Sequence, residues 1–207
     1  MIQLLQKSIE LKKLGVRRIL KLKKRYIMFS VLILLVFYVV HLNGYRLTEE
    51  SAIRNSYPNQ SGKIVYEKEF DHKKVVIWDT GNGKYVKLIN KDWGILHRVT
   101  EISGIGGTTL DEKMKFNWSA TLKEDKYYDT LFAVEVLDTK IVKVIVSNER
   151  NNEKVLSLDE AKEQSTVYVE MDVLNGYAAH YRYLHTSDVG AFIFRGLDSD
   201  GNVLSIQ

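Results

Sequence analysis

The chain has 207 residues, 30 Lys and Arg against 26 Asp and Glu, and no cysteine. That length allows one domain or two small ones beside a targeting segment, and it rules out disulfides and a lipid-modified cysteine. The net charge of +4 is uneven, because residues 1–25 hold nine Lys or Arg against the single acid Glu10. The tail is thus +8 and the remainder −4. A nucleic-acid surface would carry its basic residues on the folded part, so no nucleic-acid partner is expected.

Residues 1–25 are too few for a catalytic or signalling domain. They read as a basic cytoplasmic tail, either a helix lying on the anionic inner leaflet or a topology signal alone. Residues 27–40 (IMFSVLILLVFYVV) then run without charge, Gly or Pro, and eleven of the fourteen are Ile, Leu, Val or Phe. In a helix centre those eleven favour insertion by about 4 kcal/mol. Extended to residues 26–45, the run is a predicted transmembrane helix with a tyrosine at each end. The exit His41-Leu42-Asn43-Gly44 lacks the small residues of a cleavage site, which favours an uncleaved anchor. Lys and Arg beside a span stay in the cytoplasm, so the N-terminus is expected inside and the C-terminal part outside the cell membrane.

Residues 46–62 are polar, hold the only proline, Pro58, and read as a stalk, with a helical turn continuing from the membrane. From residue 63 the pattern turns to period two. Residues 63–70, 73–78 and 84–89 are predicted strands, with Gly81-Asn82-Gly83 as a tight turn. Residues 93–102 fit a strand or a short helix, Gly104 to Gly107 a loop, and residues 115–123 a weaker strand. The charged run at residues 123–127 is the best internal boundary. Beyond it, 130–137 and 140–147 are predicted strands joined at Asp138-Thr139, and 148–154 a polar loop. Residues 157–162 fit a short helix capped by Ser157 with Glu160 three residues on. Residues 166–174 alternate strictly, Asn175-Gly176 is the strongest hairpin signal, and 177–185 is the return strand. Residues 191–197 and 203–206 close the chain. The expected class is mainly β: an extracytoplasmic β-sandwich-like domain over residues 63–207, or two small β-rich lobes, tethered to one N-terminal span.

No motif selects a reaction. Asp198-Ser199-Asp200-Gly201-Asn202 resembles the start of a calcium loop, but its sixth position is Val203 and a Glu at the twelfth is lacking, so a hairpin turn is the better reading. Gly104, Gly106 and Gly107 complete no phosphate-binding pattern. His41, His72, His97, His180 and His185 have no metal spacing, and His180 and His185 fall on opposite faces of one strand. Tyr177, Tyr181 and Tyr183, with Trp78, Trp93 and Trp118, suit a core and half-buried sheet face better than a stacking surface. Carboxylates are plentiful, and nothing singles out a catalytic pair. No catalytic, cofactor-binding or metal residue is therefore assigned.

The segments GKIVYEKEF (62–70), WGILHRVTEISGIGG (93–107) and FRGLDSDGNVL (194–204) resemble single-pass envelope proteins of Bacillus-like bacteria. The resemblance implies an extracytoplasmic domain and carries no site residues. The expectation is a membrane-anchored binding or scaffolding module of the cell envelope, acting by contact with an envelope protein. The alternatives are an envelope hydrolase using carboxylates, and a sensor signalling through a membrane partner.

Overall fold

A computed structural model describes residues 23–58, 61–106, 113–149 and 157–207. The basic tail before Lys23, Gly107 and the end of the polar loop after Glu149 lie outside the described residues. The chain divides into two compact units between Tyr45 and Arg46.

The first unit contains helix α1, Lys23–Leu42, twenty residues long. At 1.5 Å per residue that is about 30 Å, the thickness of a bilayer's hydrocarbon core. Its large apolar side chains are exposed all round. It is long and apolar enough to cross a membrane. It stops three residues short of the expected end. Gly44 takes φ 82°, Gly44 N–H donates to His41 O at 3.1 Å and Tyr45 N–H to Val40 O at 3.3 Å. That closure satisfies two terminal carbonyls and ends the helix at a left-handed glycine. The helix does not run on as a helical stalk.

The second unit is mainly β, with eleven strands in three antiparallel sheets among the described residues. The first sheet has the order β1 (Lys63–Phe70), β2 (Lys73–Asp79), β3 (Lys84–Asp92), β4 (Leu96–Ile105). The second has the order β5 (Met114–Glu124), β6 (Tyr127–Val136), β9 (Tyr177–His185). The third runs β11 (Val203–Ile206), β10 (Ile193–Leu197), β7 (Lys143–Ser147), β8 (Tyr168–Asp172).

β6 is central to the packing. Leu131 and Ala133 join a core cluster with Val75, Ile77, Val86 and Leu88 of the first sheet. Phe132 and Val134, alternating with them, join a second cluster with Val144, Val146, Val169 and Phe194 of the third. Successive strand side chains point to opposite faces, so β6 must be apolar on both. This is why its sequence shows a continuous run rather than alternation.

Residues 46–58, expected to be a stalk, are built into this unit. Arg46 and His97 exchange two backbone hydrogen bonds of 2.8 Å. Helix α2, Glu49–Arg54, is capped by Thr48, whose side chain accepts from Ser51 N. It buries Ala52 and Ile53, the latter against Val76, Trp78 and Ile89. Residues 93–102 resolve as a turn followed by β4. The run at 123–127 is a hairpin between β5 and β6 and not a boundary, since these strands pair from Met114↔Val136 to Glu124↔Tyr127. The strands around Asp138-Thr139 are consecutive but lie in different sheets. The same holds across Asn175-Gly176: the turn forms, but its strands share only the bridge Leu174↔Tyr177. α3, Leu158–Gln164, forms with the full capping box of Ser157 and Glu160.

Candidate functional site

β1 is an edge strand. Among the described residues it pairs with β2 alone, and the register slips at Val65, between Ile64 and Tyr66. An edge presents backbone N–H and C=O groups to any partner that can add a strand. The side chains here shape that edge. Tyr66 points inward and its Oη donates to Ala179 O at 3.2 Å. Lys63, Glu67, Lys68 and Glu69 face solvent. Beside the bulge opens a groove of about 390 Å³, lined by Ile64, Val65, Tyr66, Glu67, Leu174 and Asn175. Ile64 is 38% exposed and Leu174 57%. The far wall is the turn after β8. Asn175 at φ 53° and Gly176 at φ 82° make it a type I′ turn, closed by Leu174 N–H to Tyr177 O at 2.8 Å and Tyr177 N–H to Leu174 O at 3.0 Å. The groove is therefore a strand edge of mixed lining, with Ile64 and Leu174 exposed in it and a hydrogen-bonded turn as its far wall.

The side chains with the most chemistry meet elsewhere, between the first and second sheets. Asp129 lies on β6 two residues before Leu131, on the same face. Its Oδ1 accepts from Lys73 Nζ at 2.5 Å and from Tyr181 Oη at 2.7 Å. Lys73 Nζ also donates to Tyr181 Oη at 2.7 Å, and Lys123 Nζ stands 3.4 Å from Asp129 Oδ2. Glu101 of β4 accepts from Ser119 Oγ of β5. Burial pushes the Glu101 pKa up, and the Asp129 charge adds to that against the Ser119 bond. Burial, then the hydrogen bond to Asp129, raises the Tyr181 phenol well above its ordinary value. Two carboxylates, two lysines and a tyrosine thus share one site. Asp129 is 0% exposed and Glu101 7%. The constellation is an ion cluster joining two sheets, its carboxylates buried and its lysines reaching in from the partly exposed margin.

Two further buried cations follow the same rule of compensation. Arg195 of β10 donates to Glu149 and, at 2.7 Å, to Ser147 Oγ. Burial alone would raise the Glu149 pKa, but the bonds from Arg195 and Ser147 outweigh it and hold the group below its usual range. Lys87 of β3 lies under α2 with no carboxylate. It donates to Ile53 O at 2.9 Å and Ser56 Oγ at 2.8 Å, and burial lowers its pKa to about 8.

The residues weighed from sequence are scattered. Trp78 is buried, Trp118 packs edge-on against Phe192, and Trp93 is exposed. Tyr181 belongs to the ion cluster, while Tyr183 stacks on Tyr127 at 5.0 Å. These six aromatics do not make one stacking surface. His180 is buried against Phe70 and its pKa falls to about 4 through burial. His72 and His97 line a smaller pocket with Glu49, Asp71 and Lys91. Asp198 closes the β10–β11 turn by accepting from Asp200 N and Asn202 N. Sequence reasoning missed the groove because its two walls are 110 residues apart, Ile64 against Leu174. It missed the Asp129 cluster because five strands contribute to it. Comparison with protein-family models, curated proteins and solved structures finds no match to this chain.

Proposed function

We propose that the protein is a membrane-anchored binding module of the cell envelope, holding another envelope protein by contact through the β1 edge. α1 is the tether in this reading. Lys23, Lys24 and Arg25 at its start favour a cytoplasmic N-terminus, so the β unit faces outward. The three sheets are read as a layered β-sandwich-like domain, since the two core clusters lie on opposite faces of β6. The observation that carries the reading is the open groove beside an edge strand, with Ile64 and Leu174 exposed in it. A partner segment added along β1 would gain backbone hydrogen bonds and seat a side chain between Ile64 and Leu174. The bulge at Val65 limits such pairing to a short segment, which protects the edge from indiscriminate association. The tether raises the effective concentration of the domain toward other membrane-bound proteins. The burial of Asp129 and Glu101 supports contact over carboxylate hydrolysis, which needs its acid pair open to a substrate.

The test is a photo-crosslinkable residue at Ile64 or Leu174 of the full chain in intact cells. Both positions should capture the same membrane-associated protein, and a position on the Asp198–Asn202 turn should not. Capture of no protein, or of the same set from all three positions, would remove the reading. Protease added to protoplasts should degrade the β unit and spare the N-terminal tail.

A further inference from the structure

The turn between β3 and β4 breaks the rule that the other tight turns of this chain follow. Asp92, Trp93, Gly94 and Ile95 form it, with Ile95 N–H donating to Asp92 O at 3.3 Å. Both central residues have positive φ, 51° at Trp93 and 75° at Gly94. A type I′ turn wants Asn or Gly at its first central position, and a bulky side chain there is strained. The indole is not compensated by burial, since Trp93 is 86% exposed and Ile95 64%. Local conformation and internal packing both give no reason for a tryptophan here, so the reason lies outside the folded unit.

The chain path points to what covers it. α1 ends at Leu42. Four residues later, at most roughly 14 Å of chain, Arg46 is locked to His97 by two backbone hydrogen bonds. His97 lies two residues beyond Ile95, at the base of this hairpin. The chain thus enters the β unit beside the hairpin that carries Trp93 and Ile95. Leu47, next to the bridge, is also exposed, and Lys91 flanks the tip on β3. Tryptophan with an aliphatic neighbour and a nearby lysine is the composition that settles at a bilayer interface, where the ring spans apolar and polar layers.

We propose that the β3–β4 tip is a lipid-contact finger, in which Trp93 and Ile95 enter the interfacial region of the same bilayer that α1 crosses. The finger gives the unit a second attachment beside its tether and so restricts its tilt. The proposal rests on the reading of α1 as a membrane span. The contacting ligand is the lipid surface itself.

The full chain is reconstituted into phosphatidylcholine–phosphatidylglycerol vesicles, with and without lipids brominated near the headgroup. Trp93→Phe is prepared in parallel. α1 contains no tryptophan, Trp78 lies within a core cluster and Trp118 is partly buried against another. Bromolipid should quench the wild-type emission several-fold more than that of Trp93→Phe, with the protein retained on vesicles through an alkaline wash. Equal quenching of the two retained proteins would overturn the finger and leave the span standing. A Trp93 emission that blue-shifts without quenching, and reverts on dilution with excess lipid, would assign the tip to a second copy and also overturn it. Release of the protein by the wash would overturn the span and the finger together.

Discussion

The space between the first two sheets and the rim of the β unit are built in opposite ways. Between the sheets, the buried Asp129 accepts from Tyr181 and meets Lys73 and Lys123, which reach it from the partly exposed margin, with the buried Glu101 beside them. At the rim, Ile64, Leu174, Trp93 and Ile95 leave apolar surface open. An enzyme pocket places reactive polar groups in an open cleft with apolar walls. Here the polar groups hold layers together and the apolar ones face outward. On the proposed reading, interior charge serves architecture and exposed hydrophobic surface serves contact.

The largest effect expected from breaking this arrangement is in the interior. Asp129→Ala leaves Lys73 and Lys123 without their carboxylate and Tyr181 without its acceptor. Asp129 is the buried partner and the lysines left behind stay partly exposed, so the loss should fall at the lower end for a buried pair, about 3 kcal/mol. Denaturant titration of the variant should show that loss, and a change under 1 kcal/mol would mean water already screens the cluster. Next in size is the pH response of Lys87. Its folded pKa is lowered from 10.5 to about 8. The unfolded chain therefore binds more protons between those values, and stability rises with pH across that window. One proton released per pH step is worth about 1.4 kcal/mol, so the whole window contributes about 3 kcal/mol. Lys87→Met should flatten the rise, as judged by unfolding midpoints at pH 8 and pH 10. A steeper rise in the variant would contradict the assignment.

Much of the fold was legible because local chemistry fixed it. Ser157 and Glu160 announce the cap of α3, and Asn175-Gly176 announces a positive-φ turn. What failed was inference from a turn to a ladder. Turn residues fix two backbone conformations, whereas strand pairing is decided by which surfaces are buried. β8 pairs with β7, and β9 with β6, because Val169 and Ala178 both serve the cluster around Phe132 from different sheets. The supposed stalk failed for a related reason. Ile53 is one apolar residue in a polar stretch, and its partners Val76, Trp78 and Ile89 are distant in sequence. The ion cluster was hidden because Asp129 and Lys73, 56 residues apart, look like ordinary surface charges until the fold buries Asp129 and brings Lys73 to it. The groove at Ile64 and Leu174 was hidden by the same separation.

Changes at the rim should be small in stability and large in contact. Ile64→Ser and Leu174→Ser remove partly exposed side chains, and surface changes of this kind stay within about 0.5 kcal/mol. Thermal midpoints should barely move, while crosslinking of the neighbouring groove position to its partner should disappear. A variant that lost stability and contact together would show that Ile64 belongs to the core and not to a docking surface.

The last effect is modest and has the most telling sign. The turns at Trp93-Gly94 and Asn175-Gly176 share nearly the same backbone, with first-position φ of 51° and 53° and second-position φ of 75° and 82°. Only the first side chain differs in kind. Asparagine visits the left-handed region readily, while most L-residues lose about 1–2 kcal/mol there. Trp93→Asn should therefore stabilise the fold by about 1 kcal/mol, raising the melting temperature by about 2–4 °C. Asn175→Ala should shift it the other way by a similar amount. Calorimetry of the detergent-solubilised chain separates this from any lipid contribution. The same Trp93→Asn chain in bromolipid vesicles should lose its quenched emission, so one substitution gains stability and loses membrane contact. A fall in melting temperature would instead mean that the indole packs against the β unit, and the reason for a tryptophan in that turn would then be internal.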